Sequence, residues 1–178
     1  MKATGIVRRI DDLGRVVIPK EIRRTMRIRE GDPLEIYTDA DGEVIFKKYS
    51  PMGELSEFTA QYADVLYRAT DLPVIITDRD HVITAVGLPK REAADKRITK
   101  ELEDIMENRA EFVCGSGKEL IPIEGLQRSA AAAFPIVGSG DVTGAVIFLR
   151  TGSVSAPTDT EIKIARVAAN FLGKQTEE

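Results

Sequence analysis

Apolar and polar residues alternate in short runs through the first 50 residues of the chain. A period of two predicts β-strands, and we expect four of them here, at 5–10, 15–19, 34–39 and 43–49. Turns are expected at 11–14 (DDLG) and at Asp41-Gly42, a pair that suits a tight type I′ turn. Pro19 can start a short helix to about Met26, because the N–H that proline lacks would be unpaired at the first helical position. Ile22 and Met26 would then share the buried face of that helix.

Beyond residue 53 the period changes to one that suits helices. Apolar residues from Leu55 to Ala69 recur at intervals of three and four and predict an amphipathic helix from about Glu54 to Thr70. Further helices are expected at about 91–110 and 158–174, with strands at 72–78, 82–87, 129–137 and 142–150. Helices beside antiparallel strands indicate an α+β fold. The apolar stripe of the first helix can pack on the sheet of its own chain or pair with a second copy, and the pattern leaves both open.

We therefore expect two domains, 1–50 and 56–178, joined by a linker at 51–55 that contains Pro51 and Gly53. The first domain is too small to bury a large core, and its strands would leave unpaired edges. The only cysteine, Cys114, and the only histidine, His81, provide neither an intramolecular disulfide nor a structural zinc site. We expect the first domain to be an intertwined homodimer in which two copies complete one sheet.

The charge distribution adds a candidate partner, because the formal net charge of −4 hides a basic segment. Residues 1–29 carry nine basic and three acidic side chains, whereas residues 30–178 carry 16 basic and 26 acidic ones. Basic residues concentrated in this way indicate an anionic partner such as nucleic acid. They are also compatible with an ordinary solvated face, and composition alone does not separate the two interpretations.

The segment TGIVRRIDDLGRVVIPKEIRRTMRIREGDPLEIYTDADGEVIFKKY, residues 4–49, resembles the N-terminal domain of the AbrB-type transition-state regulators of spore-forming bacteria. The resemblance implies a homodimeric swapped-hairpin β-barrel that binds double-stranded DNA. Four arginines of that family face DNA, and they match Arg8, Arg15, Arg23 and Arg24 of this chain. Arginine suits this role because the guanidinium group stays charged and presents paired donors to a phosphate or to a guanine edge.

Other basic residues of the same segment are additional candidates for DNA contact: Lys2, Arg9, Lys20 and Arg27. Arg27 departs from the family, which usually has a glycine after the helix. A left-handed helix cap at Arg27 would cost about 1 kcal/mol relative to glycine. No aromatic residue precedes Tyr37, so stacking on single-stranded nucleic acid is disfavoured relative to contact with a duplex.

The order of elements in residues 56–178 resembles that of a GAF domain, a sensor and dimerisation module of bacterial regulators. The resemblance implies an antiparallel sheet with flanking helices, assembly of two dimers into a homotetramer, and binding of a small molecule of unknown identity. The two resemblances together imply a transcriptional activator or repressor of sporulation genes. The alternative is an antitoxin-like protein-binding module, since related swapped-hairpin folds bind toxins through a flexible tail. The long apolar-rich second half of this chain favours the regulator.

No combination of residues points to catalysis, so we expect no enzyme activity, no cofactor and no metal. His81 falls in a predicted turn, and Cys114 adjoins an apolar pair without a histidine nearby in sequence. No run approaches the roughly 20 apolar residues that cross a bilayer, and no segment resembles a signal peptide. We therefore expect a cytoplasmic protein without a membrane partner.

Overall fold

The computed structural model of the chain describes residues 4–115, 117–152 and 156–177. The chain forms two compact units, Met1–Tyr49 and Ser50–Glu178. Both units contain helices and strands, in agreement with the predicted mixed composition. Within the described ranges, no helix has the length and apolar character needed to cross a membrane.

The first unit contains a short helix and a hairpin: α1 (Lys20–Thr25), β1 (Leu34–Thr38) and β2 (Val44–Lys48). The two strands pair antiparallel along their whole length. In the loop between them, the carboxylate of Asp39 accepts the backbone N–H groups of Asp41 and Glu43. Within this loop only Gly42 has a positive φ, of 82°. The predicted type I′ turn at Asp41-Gly42 is therefore wrong, because that turn requires positive φ at both central residues.

Residues 5–10 and 15–19 do not form the predicted strands within the single chain. The turn between them is closed, since the N–H of Asp11 donates to the carbonyl of Arg15 at 3.1 Å. The flanking residues leave apolar side chains in solvent, including Val7, which is 85% exposed, and Val17, which is 71% exposed. A strand forms only against a neighbouring strand, and the described part of one chain supplies none here.

The predicted linker at 51–55 is instead helical. Residues Pro51–Glu54 form α2, which Ser50 caps by accepting the N–H of Gly53 on its hydroxyl oxygen. Met52 is fully buried in the core of the second unit. The Ser50 hydroxyl also donates to the carboxylate of Asp78 at 3.0 Å. The second unit therefore begins at Ser50, whose hydroxyl group accepts one hydrogen bond and donates another.

The second unit is built on a five-stranded antiparallel sheet. Its strands are β3 (Val74–Thr77), β4 (Val82–Val86), β5 (Phe112–Val113), β6 (Ala130–Gly138) and β7 (Asp141–Leu149). They lie in the spatial order β4-β3-β7-β6-β5. The hairpin between β6 and β7 turns at Ser139 and Gly140, both with positive φ, 50° and 85°. This is the type I′ pattern, and it connects the two strands that were predicted at 129–137 and 142–150.

Helices cover both faces of this sheet. On one face lie α3 (Ser56–Thr70) and α6 (Asp159–Gln175), and on the other lie α4 (Lys90–Ala93) and α5 (Lys100–Glu107). Successive residues of β3 alternate between the two cores, with Val74 and Ile76 in the first and Ile75 in the second. Gly173 lets α6 approach β6, because a Cβ there would lie 2.1 Å from the carbonyl oxygen of Val137.

The single helix predicted at about 91–110 is two short helices. Asp95 follows α4 with a φ of 56°, a left-handed conformation that does not continue a helix. A new helix then starts at Thr99, whose hydroxyl oxygen accepts the N–H of Leu102. The apolar periodicity continued across this break because Ala93, Leu102 and Met106 all face the same core.

The apolar stripes of α3 and α6 are divided between core and solvent. Ala63 and Leu66 of α3 are buried, as are Ala165, Ala168, Ala169 and Leu172 of α6. By contrast, Val65 is 59% exposed, Val167 63% and Phe171 41%. The ring of Phe171 lies 5.4 Å from that of Tyr62 and 6.0 Å from that of Phe58, measured between centroids. We call this surface the α3/α6 apolar patch, formed by Phe58, Tyr62, Val65, Val167 and Phe171.

Candidate nucleic-acid interface

Arg15 is held at the end of a loop by Asp11. One carboxylate oxygen of Asp11 accepts the backbone N–H of Arg15 at 2.7 Å and that of Leu13 at 3.0 Å. The other accepts the guanidinium Nε–H of Arg15 at 2.7 Å. The backbone and side-chain hydrogen bonds from Arg15 lower the pKa of the Asp11 carboxyl below its usual value. The Arg15 side chain nevertheless remains 70% exposed, so its outer donors face solvent.

Arg23 and Arg24 are exposed on α1. The helix begins after Pro19, whose carbonyl accepts the N–H of Arg23 at 2.9 Å, so proline is the N-cap rather than the predicted first helical residue. Ile22 is half-buried, as its predicted place on the inner face requires. Met26, predicted to share that face, is 60% exposed, because the described part of one chain does not cover this end of the helix.

The end of α1 adopts the left-handed cap considered for Arg27. Arg27 has a φ of 51°, its N–H donates to Arg24, and the next N–H, of Ile28, donates to Arg23 at 2.8 Å. These two bonds define a Schellman motif, in which glycine is the usual residue at the Arg27 position. The carbonyl of Arg27 accepts the ammonium group of Lys48 at 2.9 Å, which joins the helix end to β2.

The buried carboxylate of Asp32 stabilises the same contact between the end of α1 and β2. Asp32 has only 3% of its side chain exposed and accepts the backbone N–H of Arg29 at 2.8 Å. Its carboxylate lies 3.5 Å from the ammonium group of Lys48. Asp32 and Lys48 cannot be told from other surface charges by counting charges along the sequence, so these supporting residues were missed. The Gly-Asp-Pro sequence was the available signal, since aspartate in such turns commonly bonds nearby backbone N–H groups.

The predicted DNA-contacting residues fall into two groups. Arg23 and Arg24 are neighbours on α1, whereas Arg8 and Arg15 stand on either side of the turn at 11–14. Within residues 4–115, 117–152 and 156–177, no hydrogen bond links the two groups, and no carboxylate forms an ion pair with Arg8, Arg23 or Arg24. Three of the additional candidates are also described: Arg9 and Lys20 are exposed, and Arg27 is half-buried. Lys2 lies outside the described residues.

His81 and Cys114 occupy positions in the framework of the second unit. The N–H of His81 donates to the Asp78 carboxylate at 2.7 Å, and its backbone pairs with that of Arg97. Cys114 is 6% exposed, and its N–H donates to Ala131 of β6. In the part of the chain that the structure describes, no three metal-ligating side chains come together.

These observations define a class of protein: a two-unit chain with an exposed arginine-rich N-terminal unit and a mixed sheet-and-helix C-terminal unit. The family model for the stage V sporulation protein T C-terminal domain, described as a transcription factor, matches residues 54–177. The chain therefore belongs to the stage V sporulation protein T family. This finding confirms the family expected from the paired resemblances.

Individual relatives agree with this assignment. Stage V sporulation protein T of Bacillus subtilis (strain 168) is 48% identical over 180 residues, covering 100% of both chains. The transition state regulatory protein AbrB of the same strain is 65% identical over 51 residues, which are 29% of this chain and 52% of that protein. A family model for the antidote-toxin recognition protein MazE, a bacterial antitoxin, matches residues 7–53.

A solved structure supports the fold of the second unit. The crystal structure of a GAF domain/HD domain protein from Geobacter sulfurreducens has a TM-score of 0.53 and 20% sequence identity, and the likeness covers 73% of this chain and 96% of that one. At this identity the likeness concerns the fold alone. It confirms the GAF-like architecture predicted for the C-terminal unit.

Proposed function

We propose that this protein regulates transcription of sporulation genes by binding double-stranded DNA through Arg8, Arg15, Arg23 and Arg24. The observation that carries the proposal is the exposure of Arg23 and Arg24 on α1 without a neutralising carboxylate in the described residues. A charge left unpaired in this way is available to a phosphate, and its contact releases counterions from DNA. The full-length relationship to a sporulation protein whose family is described as a transcription factor supports the same role.

The remaining basic residues of the segment complete the proposed face as secondary contacts: Lys2, Arg9, Lys20 and Arg27. The functional division expected from the sequence is part of the proposal: the first unit, Met1–Tyr49, serves DNA binding and dimerisation, and the second, Ser50–Glu178, serves assembly and sensing. The protein acts in the cytoplasm, beside its DNA. No reaction is proposed, because the family is described as a transcription factor.

A homodimer that forms a swapped-hairpin barrel would bury the exposed apolar side chains of the first unit and provide partners for its unpaired segments. Many of its apolar side chains are exposed in the single chain, among them Val7, Ile10, Leu13, Val17 and Ile36. So many exposed apolar side chains in a unit of about 50 residues favour a partner that covers them, and residues 5–10 and 15–19 need strand partners. A second copy supplies both, and it doubles the four principal arginines to eight on one molecule.

The C-terminal units would join two such dimers into a homotetramer. The α3/α6 apolar patch supports this step, since Val65 and Val167 are more than half exposed and each follows or precedes an aromatic residue of the patch by one helical turn, Tyr62 and Phe171 respectively. Two DNA-binding dimers linked in this way bind a long duplex with increased avidity when both reach it. The GAF-like fold also supports binding of a small molecule by this unit.

A second candidate function is recognition of a protein toxin, because the antitoxin family model matches residues 7–53. An antitoxin of this type requires a flexible tail after the barrel. Here the chain continues at Ser50 into a unit with two apolar cores on either side of a sheet. We therefore favour the DNA-binding regulator.

Arginine substitutions test the proposal. We expect Arg23→Ala or Arg24→Ala to lower the affinity for a DNA duplex at least tenfold without unfolding the protein, whereas Arg91→Ala, which removes an exposed arginine of α4, should change little. Each lost phosphate contact should flatten the log-log dependence of affinity on salt by about 0.9. Unchanged affinity would contradict the proposed face. Lower affinity with an unchanged salt slope would assign these arginines to base edges instead.

A further inference from the structure

We infer that Asp11 is a positioning residue for DNA binding: an acidic side chain that raises the affinity for DNA by holding the Arg15 guanidinium. The inference deepens the proposed function and rests on it. It also runs against simple electrostatics, in which any carboxylate close to a phosphate weakens binding.

The geometry shows how the carboxylate divides its bonds. Its Oδ1 atom accepts two backbone N–H groups and fixes the loop, while its Oδ2 atom accepts Nε–H of Arg15 at 2.7 Å. A guanidinium group has five N–H donors, so the four on its two terminal nitrogens remain. No bond of the described residues occupies them. They are free to donate in pairs to a phosphate or to a guanine edge.

Asp11 raises the affinity for DNA because it orders the Arg15 side chain before DNA binds. A free arginine side chain must lose rotamer freedom when it binds, and this loss weakens the complex. The bond from Nε to Asp11 restricts the Arg15 side chain in the unbound protein, although the side chain is 70% exposed. An aspartate carboxyl is charged near neutral pH, and the hydrogen bonds from Arg15 lower the pKa of Asp11 further, so the bond is a charge-assisted one.

The neighbouring Asp12 provides a matched control. It is also exposed, and among the described residues its side chain makes no bond to an arginine. Substitution of either aspartate by asparagine removes one negative charge at nearly the same place. The side-chain amide introduced by Asp11→Asn would still offer an oxygen to the N–H groups of Leu13 and Arg15, so this variant loses the charged partner of the guanidinium but keeps the turn. Surface ion pairs contribute little to stability, and both variants should fold.

The experiment measures binding of a short fluorescein-labelled DNA duplex to the full chain by fluorescence anisotropy. The variants are Asp11→Asn, Asp12→Asn, Arg15→Ala, and the double variant Asp11→Asn/Arg15→Ala. We expect Asp11→Asn to weaken binding about tenfold, since the dimer must then order two side chains on binding, and Asp12→Asn to bind as tightly as the wild type or more tightly. In the Arg15→Ala background, Asp11→Asn should no longer weaken binding, because Asp11 acts through Arg15.

Two results from the asparagine variants would overturn the inference. One is Asp11→Asn binding as tightly as Asp12→Asn, and the other is an equal loss from Asp11→Asn with and without Arg15. An unaffected Arg15→Ala variant would also overturn it, but the proposed function would fail only if Arg23→Ala and Arg24→Ala bound normally too. Thermal unfolding by circular dichroism checks that a weaker variant is folded.

Discussion

Replacement of Phe171 by alanine should separate the C-terminal units of the proposed tetramer while leaving each unit folded. Phe171 lies on α6 with its ring against those of Tyr62 and Phe58, and 41% of it is exposed in the single chain. The neighbouring Leu172 is fully buried and holds α6 on the sheet. The substitution therefore removes the exposed surface that a partner would cover, together with ring contacts inside the unit, and it keeps the buried anchor Leu172.

The magnitude follows from the exposed area. A phenylalanine side chain can bury about 200 Å². The exposed fraction of 41% then leaves roughly 80 Å² for an interface, or about 2 kcal/mol at about 25 cal/mol per Å². A twofold interface contains this contact twice, which gives about 4 kcal/mol and about a 10³-fold weaker association.

Analytical ultracentrifugation of the full chain measures this association. We expect the wild type to sediment as a tetramer and Phe171→Ala as a dimer, with affinity for a short duplex unchanged and affinity for a long duplex reduced. Glu101→Ala, an exposed substitution on α5 at the other face of the sheet, is the matched control and should remain tetrameric. A wild type that sediments only as a dimer, or a Phe171→Ala variant that stays tetrameric, would refute assembly through the α3/α6 apolar patch.

Two further predictions concern stability. Arg27→Gly should stabilise the first unit by about 1 kcal/mol in chemical denaturation, because Arg27 has a φ of 51° and its bonds to Arg24 and Lys48 use only its backbone. A less stable variant would show that the Arg27 side chain contributes to the fold. Ser50→Ala should destabilise the second unit by about 1–2 kcal/mol, since it removes the cap of α2 and the hydrogen bond to Asp78. Unchanged denaturation of the second unit would contradict this role for the hydroxyl.

The sequence predicted well those elements that one chain can complete. The hairpin of β6 and β7 needed only two apolar runs and a turn at Ser139-Gly140, and these are adjacent in sequence. The helix α6 followed from its apolar spacing, and the structure adds a capping box between Thr158 and Glu161 at its start. Local signals and tertiary contacts agree in these elements.

The failures arise where the deciding partner is distant in sequence or absent from the chain. Residues 5–10 and 15–19 have a strand pattern but lack a neighbouring strand in the single chain. The helix predicted at 91–110 is interrupted at Asp95, which has a left-handed backbone. The apolar spacing did not reveal the break, because residues on both sides of it pack against the same core. Met52 is buried in the core of the second unit, and its position between Pro51 and Gly53 gave no sign of this burial in the sequence.

The candidate site shows the same division. Composition and the family resemblance identified Arg8, Arg15, Arg23 and Arg24, because a charge pattern is visible in sequence. The hydrogen bonds that orient Arg15 depend on the geometry of the loop at 11–15, which charge counting cannot provide. Supporting residues such as Asp11 and Asp32 therefore became apparent only from the structure.

Hydrogen–deuterium exchange of the full chain with and without a DNA duplex tests the proposed DNA-binding face. We expect DNA to slow exchange in peptides that contain the turn at 11–15 and α1, where Arg15, Arg23 and Arg24 lie, and to leave the β1–β2 loop at 39–43 unchanged. The Arg23→Ala variant should lose the protection of both segments at a protein concentration that saturates the wild type. Protection confined to the second unit, or to the β1–β2 loop, would contradict DNA binding through the arginine face.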